Sequence, residues 1–500
     1  MRATFEQTGE PGAAAPAAAV LTPPPGRKGP QRLLLLFERD WDGQGFAPLA
    51  QAGEVVLHAE GFDLFSFPSN ARLLAFDAWR FVERVCAKYR GRVDAVVSNN
   101  EQFGALLAAV VAQRLGLPGN DPAAIVRAQH KLLCRQLLRA ALPAALQEMA
   151  APAQALPFAI DDPRVQSPAE LAAAVRALGL SFPLFVKPVK AAFSVLARTV
   201  HGADELARHL TFRRFERLVI ERLVRPYAQV AARYAPLPCD PTAMLVESPC
   251  NGLQVNVDGY VFRGQTRIVG VVEERIYPQQ PGGARHFARF VYPSRLAPAL
   301  KARIEDAARR AVAAVGYTHG FFNCEFFVLP DGRLRFIEIN PRLASQFVAM
   351  YRDLDGLDIY RMVAALAAGR DPATVPRGVP VAGAAASFVF RRFDGHAAPP
   401  PAAGAADWLA ARHPRSELLT FHKHGRGLAR EYKWLGSHRY AVVNHSAADA
   451  DALEAEFIRI CARFGWPYQP LDALPAHAPA PADAHAALPA PVWLTPARAA

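Results

Sequence analysis

The sequence predicts a multidomain protein of α/β and α+β type: an open α/β domain first, an antiparallel-sheet domain in the middle and a small α/β domain last. Three observations predict it. The 500 residues exceed what one hydrophobic core serves, so two to four domains are expected. Short continuous apolar runs alternate with helical stretches over about 31–125, as in a buried parallel sheet. From Met244 onward, β-rich runs follow one another through tight-turn signals, which indicates antiparallel pairing.

Residues 1–30 are rich in Ala, Pro and Gly and are expected to form a disordered extension. Regular structure begins at the strand RLLLLF, Arg32 to Phe37. A second strand, DAVVSNN (Asp94 to Asn100), leads into a helix closing near Gly116. Ligands of open α/β folds sit at the carboxyl ends of strands, where Ser98, Asn99, Asn100 and Glu101 lie. The ordinary role of such residues there is turn and helix-cap chemistry. Asn120, Asp121 and Pro122 open a helix expected to run to about Ala141, with Lys131 and Arg135 on one face.

Ser167 to Leu178 reads as a helix, and FPLFVKP as a strand containing Lys187. A lysine inside an apolar strand needs an anionic partner or a route to solvent. In the connection Val189 to Ser194, Lys190, Ser194 and backbone N–H groups could cradle phosphate. Leu206 to about Ala235 is basic, mostly helical and expected to cover the sheet. MLVES, LQVNVDGYV and RIVGVVEE are strands; RHFARFVYP, Arg285 to Pro293, is a basic loop or edge strand. Arg275 and the arginines of that loop could hold a substrate carboxylate bidentately, or serve the sheet edge. An amphipathic helix, Lys301 to Val315, precedes a hairpin, and helix follows the hairpin to about Gly369.

After the break DPATVPRGVPVAGA comes a small C-terminal α/β domain to about residue 470, then an Ala/Pro-rich tail over 471–500. His422 and His424 lack further ligands near them and read as surface positions.

The net charge of +12 comes largely from arginine spread along the chain. No basic block with interleaved aromatics marks a nucleic-acid partner. Six cysteines without a C-x-x-C pair suit a reducing cytoplasm. No apolar run approaches the roughly 20 residues of a membrane span. Glu6, Glu10 and several prolines interrupt the start where a signal peptide would be apolar.

The most informative stretch is the hairpin GFFNCEFFVLPDGRLRFIEINPR, Gly320 to Arg342. With Asp331 and Gly332 as a two-residue loop, Glu325 faces Glu338 and Asn323 faces Asn340. Alternation then puts two carboxylates and two amides on one face and sends Phe322, Cys324, Phe326, Ile337 and Ile339 into a core. Opposed carboxylates roughly 5 Å apart repel unless a cation sits between them. Oxygen ligands of this kind suit Mg²⁺, typically held by one or two carboxylates together with substrate phosphates.

The order of parts resembles the ATP-grasp superfamily and looks most like its carboxylate–amine ligase branch. The resemblance rests on a Rossmann-like start, the H-K-x-x-x-R helix, the F-V-K-P strand, the V-E-S…G-L-Q-V-N-V-D-G run and E…E-I-N-P-R, over roughly 31–375. It implies a Rossmann-like domain over 31–125 and an ATP-grasp domain over 126–375, with a small lid at about 150–245 and an antiparallel-sheet core. The C-terminal α/β domain, 376–470, fits an appendage many members carry. It implies Glu325, Glu338 and Asn340 as ligands of Mg²⁺, with Mn²⁺ as the alternative ion, against ATP phosphates. Lys187 and Lys131 match phosphate-contacting lysines, and Glu247, Ser248 and Cys250 the linker that reads adenine. Arg342 matches the arginine stabilising transferred phosphoryl charge. Gln254 stands where many members carry a ribose-contacting glutamate, and the loop after Lys187 lacks the family's usual glycines.

The implied reaction activates a carboxylate as an acyl phosphate and joins it to an amine, releasing ADP and phosphate. The implied partners are small-molecule carboxylate and amine substrates, and the assembly considered is a homodimer. The alternatives are another ATP-grasp chemistry, carboxylation or phosphoryl transfer, and a non-catalytic ATP-binding module.

Overall fold

The computed structural model describes residues 29–38, 41–64, 69–143, 146, 149–150, 154–156, 159–160, 167–191, 195–277 and 286–468. The terminal stretches 1–28 and 471–500, Ser194 and Arg285 lie outside the described residues.

Strands β1 (Gln31–Leu36), β2 (Val55–Glu60) and β3 (Ala95–Val97) form a parallel sheet in the order β2-β1-β3. Leu34 and Leu36 enter one hydrophobic core and Leu33 and Leu35 another, which is why this strand is apolar at every position. Helices α1 (Asp42–Gln51), α2 (Ala78–Tyr89) and α3 (Gly104–Leu115) accompany it. The helix expected over Pro122–Ala141 is instead two, α4 (Pro122–Gln129) and α5 (Lys131–Ala141). The Lys131 N–H leaves the helical ladder for Val189 O at 3.0 Å, and His130 Nδ1 accepts from Leu133 N, capping α5.

A four-stranded sheet, order β4-β9-β6-β7, combines β4 (Gln154–Leu156), β6 (Leu184–Pro188), β7 (Arg198–Val200) and β9 (Met244–Glu247). The short strands β5 (Ala159–Ile160) and β8 (Thr211–Phe212) pair separately. Helices α6 (Pro168–Ala177) and α7 (Ala203–Leu210) close a small core with Leu171, Leu184, Val186, Leu206 and Met244. The basic helix α8 (Arg214–Tyr234) covers that sheet only at its start. Ile220 enters the small core, whereas Tyr227 and Val230 enter the main one. Tyr227 OH donates to Val126 O at 3.0 Å and Trp79 Nε1 to Gln229 O at 3.1 Å, so α8 bridges to the N-terminal helices.

The largest sheet has eight antiparallel strands in the order β14-β13-β10-β11-β12-β15-β17-β16. Its members are β10 (Leu253–Phe262), β11 (Gln265–Ile276), β12 (Phe287–Tyr292), β13 (Gly320–Val328), β14 (Leu334–Asn340), β15 (Ala384–Arg392), β16 (Glu417–Thr420) and β17 (His438–Ala447). Helix α9 (Pro298–Ala314) buries Ile304, Ala307, Ala308 and Ala311 with Phe322, Cys324 and Phe326. The helix expected after the hairpin is divided into α10 (Val348–Asp355) and α11 (Ile359–Ala367). Gly356, at φ +66°, makes the break, and a Cβ there would lie 2.1 Å from Gly378 O. Pairing of β12 with β15 continues the sheet into the C-terminal segment. Its helices are α12 (Ala405–Arg412), α13 (Gly425–Leu435) and α14 (Ala450–Phe464), the last contributing Phe457 and Ile460 to a core with Phe388 and Phe390.

The hairpin keeps the expected pairing by a different route. Its loop has three residues, Pro330 to Gly332: Gly332 N bonds to Leu329 O and Leu329 N to Arg333 O, with Gly332 at φ +78°. That shifts the register by one, so Phe326 faces Phe336. An irregularity between Glu325 and Phe326 leaves Ile337 without a partner and restores the Glu325–Glu338 and Asn323–Asn340 pairs. Phe336 therefore joins Leu334 and Ile339 in the core from β14, at 3% exposure, and Ile337 is only half-buried, contrary to the expectation from strict alternation.

Candidate active site

The polar face of the hairpin is one hydrogen-bonded array. Asn340 Nδ2 donates to Glu325 Oε1 at 2.9 Å and to Asn323 Oδ1 at 3.1 Å. Gln254 Nε2 donates to Glu325 Oε2 at 3.0 Å. Asn323 Nδ2 donates to Asp258 Oδ1 at 2.8 Å, and Tyr351 OH to Asp258 Oδ2 at 2.6 Å. Period-two spacing aims Gln254, Asn256 and Asp258 at this face from β10.

Cations converge on it from other segments. Lys131 Nζ lies 2.8 Å from Glu338 Oε2 and donates to Ala191 O at 2.8 Å. One turn along α5, Arg135 Nη1 lies 3.2 Å from Glu247 Oε2. Lys187 Nζ meets the other oxygen of Glu247 at 2.8 Å, which supplies the anionic partner its buried strand position requires. Arg342 donates through Nε to Glu101 Oε2 at 3.1 Å, and Nη2 contacts the same oxygen. Lys190 Nζ donates to Glu101 O at 3.0 Å.

The electrostatics follow from this geometry. Burial pushes the Glu325 carboxyl well above the carboxylate range, and Glu338, Glu274 and Glu101 add to the effect. Burial also pushes Glu338 upward, but the Lys131 ammonium, with Lys187 and Arg342, outweighs it and holds Glu338 below its ordinary value. Burial pulls Lys190 down to about 7, and Lys131 contributes in the same direction. Burial raises Asp258 to about 6 against the hydrogen bonds from Tyr351 and Asn323. The two carboxylates of the opposed pair are thus pushed apart, Glu338 downward by its lysine and Glu325 upward by burial and its acidic neighbours.

Residues 180–350 match the ATP-grasp domain family. The chain carries an ATP-grasp domain. Over 208 residues it is 26% identical to a D-alanine–D-alanine ligase of Flavobacterium psychrophilum, covering 39% of this chain and 54% of that ligase. The chain thus spans about half the length of that curated relative. The fold is similar to the crystal structure of an L-amino acid ligase from Bacillus licheniformis, at TM-score 0.62 and 14% identity over 87% of this chain and 98% of that one. It is also similar to a carboxyaminoimidazole ribonucleotide synthase from Aspergillus clavatus complexed with ATP. There the TM-score is 0.58 at 16% identity, over 87% and 99% of the two chains.

Each of the side chains Lys131, Lys187, Glu247, Gln254, Glu325, Glu338, Asn340 and Arg342 makes an ion pair or hydrogen bond: Lys131 with Glu338, Lys187 with Glu247, Gln254 and Asn340 with Glu325, and Arg342 with Glu101. Ser248 and Cys250 follow β9 directly, Ser248 exposed and Cys250 half-buried. Gln254 is turned onto Glu325 and so belongs to the carboxylate patch. Glu101 is a residue that sequence reasoning assigned to turn chemistry; its side chain instead holds Arg342. Its position at a strand's carboxyl end was the available signal. The neighbouring Asn100 does follow the bland expectation, accepting from Gln102 N at 3.1 Å and Gly104 N at 3.3 Å at the start of α3.

The arginines considered for substrate recognition at the sheet edge are engaged elsewhere. Arg289 is buried beside the stacked Phe388 and Phe457 rings and pairs with Glu454 at 2.7 Å. Arg275 pairs with Glu273 at 2.6 Å. Beside Arg342 a cavity of about 100 Å³ runs along α3, lined by Asn99, Ala105, Ala109, Leu343 and Leu366 among others.

Among the described residues no three His, Cys, Asp or Glu side chains form a ready metal cage. The donors at hand are two opposed carboxylates and the amide of Asn340, all oxygen for a hard cation. Burial first, and then the neighbouring carboxylates Glu338, Glu274 and Glu101, raise Glu325, and that crowding of acidic groups is what a divalent ion would relieve. These residues fit Mg²⁺.

Proposed function

We propose that the protein is an ATP- and Mg²⁺-dependent ligase that activates a carboxylate as an acyl phosphate and joins it to an amine, releasing ADP and phosphate. The observation that supports this reading best is the meeting of Lys131 with Glu338 at 2.8 Å beside Glu325, with Lys187 and Arg342 converging from other segments. Binding alone would not require opposed carboxylates with three cations brought toward them from separate segments.

In this reading Lys187 and Lys131 neutralise ATP phosphate charge and align the terminal phosphoryl group for in-line transfer. Glu325, Glu338 and Asn340 would hold Mg²⁺, which supplies Lewis-acid neutralisation of the phosphate oxygens when bound. The substrate carboxylate oxygen attacks the γ-phosphorus, the bond to the β-bridging oxygen breaks, and ADP leaves. Arg342, released from or shared with Glu101, stabilises charge on the transferred group and then on the acyl phosphate. The amine attacks the acyl carbon, phosphate leaves, and the amine proton passes to solvent or phosphate. The segment at about 150–245, carrying the four-stranded sheet, serves as the lid that excludes water from the intermediate. The backbone of Glu247 to Cys250 reads the adenine edge. Small carboxylates and amines are the partners, and the cytoplasm is the compartment.

The test is ADP release by the purified chain across pooled acids and amines, followed by mass spectrometry of the products. An amide with ADP and phosphate is the expected result. A carboxylated or phosphorylated product, or ATP binding without turnover over the whole panel, would overturn it.

A further inference from the structure

The C-terminal segment extends the candidate site's sheet and brings a second charged pair to it. Arg391 on β15 stands directly opposite Arg439 on β17. Like charges in that position repel, as the two glutamates do at the other end of the sheet. Alternation along β15 puts Arg391 on the side of Ala385 and Val389, opposite the apolar face of Phe388 and Phe390 that α14 covers, and the irregularity leaves Tyr440 of β17 unpaired beside it. Its guanidinium lies 4.7 Å from the centre of the Phe287 ring, and Phe287 contacts Phe290 at 4.9 Å. Phe290 pairs with Glu274 and Glu274 with Gln254 across neighbouring strands, so this surface is continuous with the face that carries Glu325.

Among the described residues the Arg391 side chain makes one hydrogen bond, from Nη1 to Ser437 Oγ at 3.0 Å, and no ion pair. Its Nε is buried without an acceptor. Burial, and Arg439 after it, pull the guanidinium down to about 10, against the more distant Tyr277, Glu431 and Glu274. By contrast Lys131, Lys187 and Arg342 each form a direct ion pair with a carboxylate. With Nη1 held by Ser437, the Nε–Nη2 edge of the fork remains, and that edge matches an oxyanion bidentately.

We propose that Arg391, backed by Arg439, is the recognition site for a substrate oxyanion other than the carboxylate being activated. That group is either the free carboxylate of an amino-acid-like amine or a second carboxylate or phosphate on the acid. The proposal rests on the ligase reading for its place in the reaction, and its test does not depend on turnover.

Calorimetric titration of the full chain with glutarate, inorganic phosphate and glycine, against propionate and methylamine as controls lacking the extra anion, provides that test. Arg391→Gln is expected to weaken glutarate, phosphate or glycine at least tenfold while leaving ATP, propionate and methylamine unchanged. Preference of wild type for glycine over methylamine points to the amine as the source. Preference for glutarate or phosphate over propionate points to the acid. Unchanged binding of all three anions by Arg391→Gln, or no preference in wild type for any of them over its control, would overturn the proposal. Arg391→Lys, which keeps a cation over Phe287, decides the case if Arg391→Gln does not fold. Loss of the anion preference with ATP binding kept supports the assignment, and an unchanged preference overturns it. Absence of ADP release over the acid and amine panel would remove the ligase reading and leave these titrations interpretable.

Discussion

The Arg342 guanidinium clasps the Glu101 carboxylate across 241 residues of sequence, Nε to Oε2 at 3.1 Å, tying the first parallel sheet to the end of the hairpin that carries the opposed carboxylates. Both side chains are largely buried, and burial alone would lower the arginine; Glu101 outweighs it and raises Arg342 above its ordinary value. Breaking such a pair by removing one charge leaves the other uncompensated. Glu101→Gln is therefore expected to cost about 3 kcal/mol of stability, measured by urea unfolding. It should also lower kcat more than it raises KM for ATP, because Arg342 loses its position. An unchanged unfolding midpoint would contradict the structural role.

Glu338→Gln removes the charge that Lys131 pairs with and one of the two opposed carboxylates. ADP release is expected to fall about 100-fold or more, the usual scale for losing one group that organises developing charge. Circular dichroism should be unchanged, since Gln fills the same volume. Full turnover in this variant would place the ion elsewhere.

Chelation of divalent ions should abolish ADP release and restore it on adding back Mg²⁺. Glu325→Gln is expected to move the Mg²⁺ concentration for half-maximal rate upward by at least about tenfold. An unaltered Mg²⁺ titration in that variant would remove Glu325 from the ligand set.

His130 makes stability depend on pH. Burial pulls its imidazole down from the ordinary value to about 4, with Lys131 and Lys190 acting the same way. The neutral Nδ1 is needed, since it accepts from Leu133 N at 3.2 Å to cap α5. The unfolded chain takes up the proton near pH 6.5 and the folded chain does not. Stability is thus fully present above about 6.5 and is lost as pH falls toward 4, by up to about 3 kcal/mol from this group. His130→Asn, which can still cap, should flatten that part of the urea-unfolding profile relative to wild type. An equal slope in both proteins would refute the assignment.

Much of the candidate site was legible because strand alternation is local. Glu325, Glu338 and Asn340 could be placed on one face from spacing and one Asp-Gly turn. The expected register holds although the loop is one residue longer than counted, because the unpaired Ile337 offsets the shift. That compensation was not readable. It depends on Phe336 meeting Phe326 edge-to-face at 5.8 Å in the core beneath, a contact no local pattern specifies. The split at His130 was hidden for a similar reason: the Lys131 N–H bonds to Val189, nearly sixty positions away in sequence, and helix propensity carries no sign of it.

Sequence alone determined the strand beginning at Arg32, the antiparallel run from Met244 to the hairpin, the carboxylate–amide face of the Gly320–Arg342 hairpin and the presence of a lysine in a buried strand that must find an anion. Tertiary structure decided which anion each cation found: Glu247 for Lys187 and Arg135, Glu338 for Lys131, Glu101 for Arg342. It also decided that β15, β17 and β16 continue the central sheet and that Arg289 is spent on Glu454 while Arg391 stays without an ion pair among the described residues. The physical reason is range. Side-chain direction along a strand is set within two residues, whereas the partner of a buried charge is set by how segments hundreds of residues apart come together.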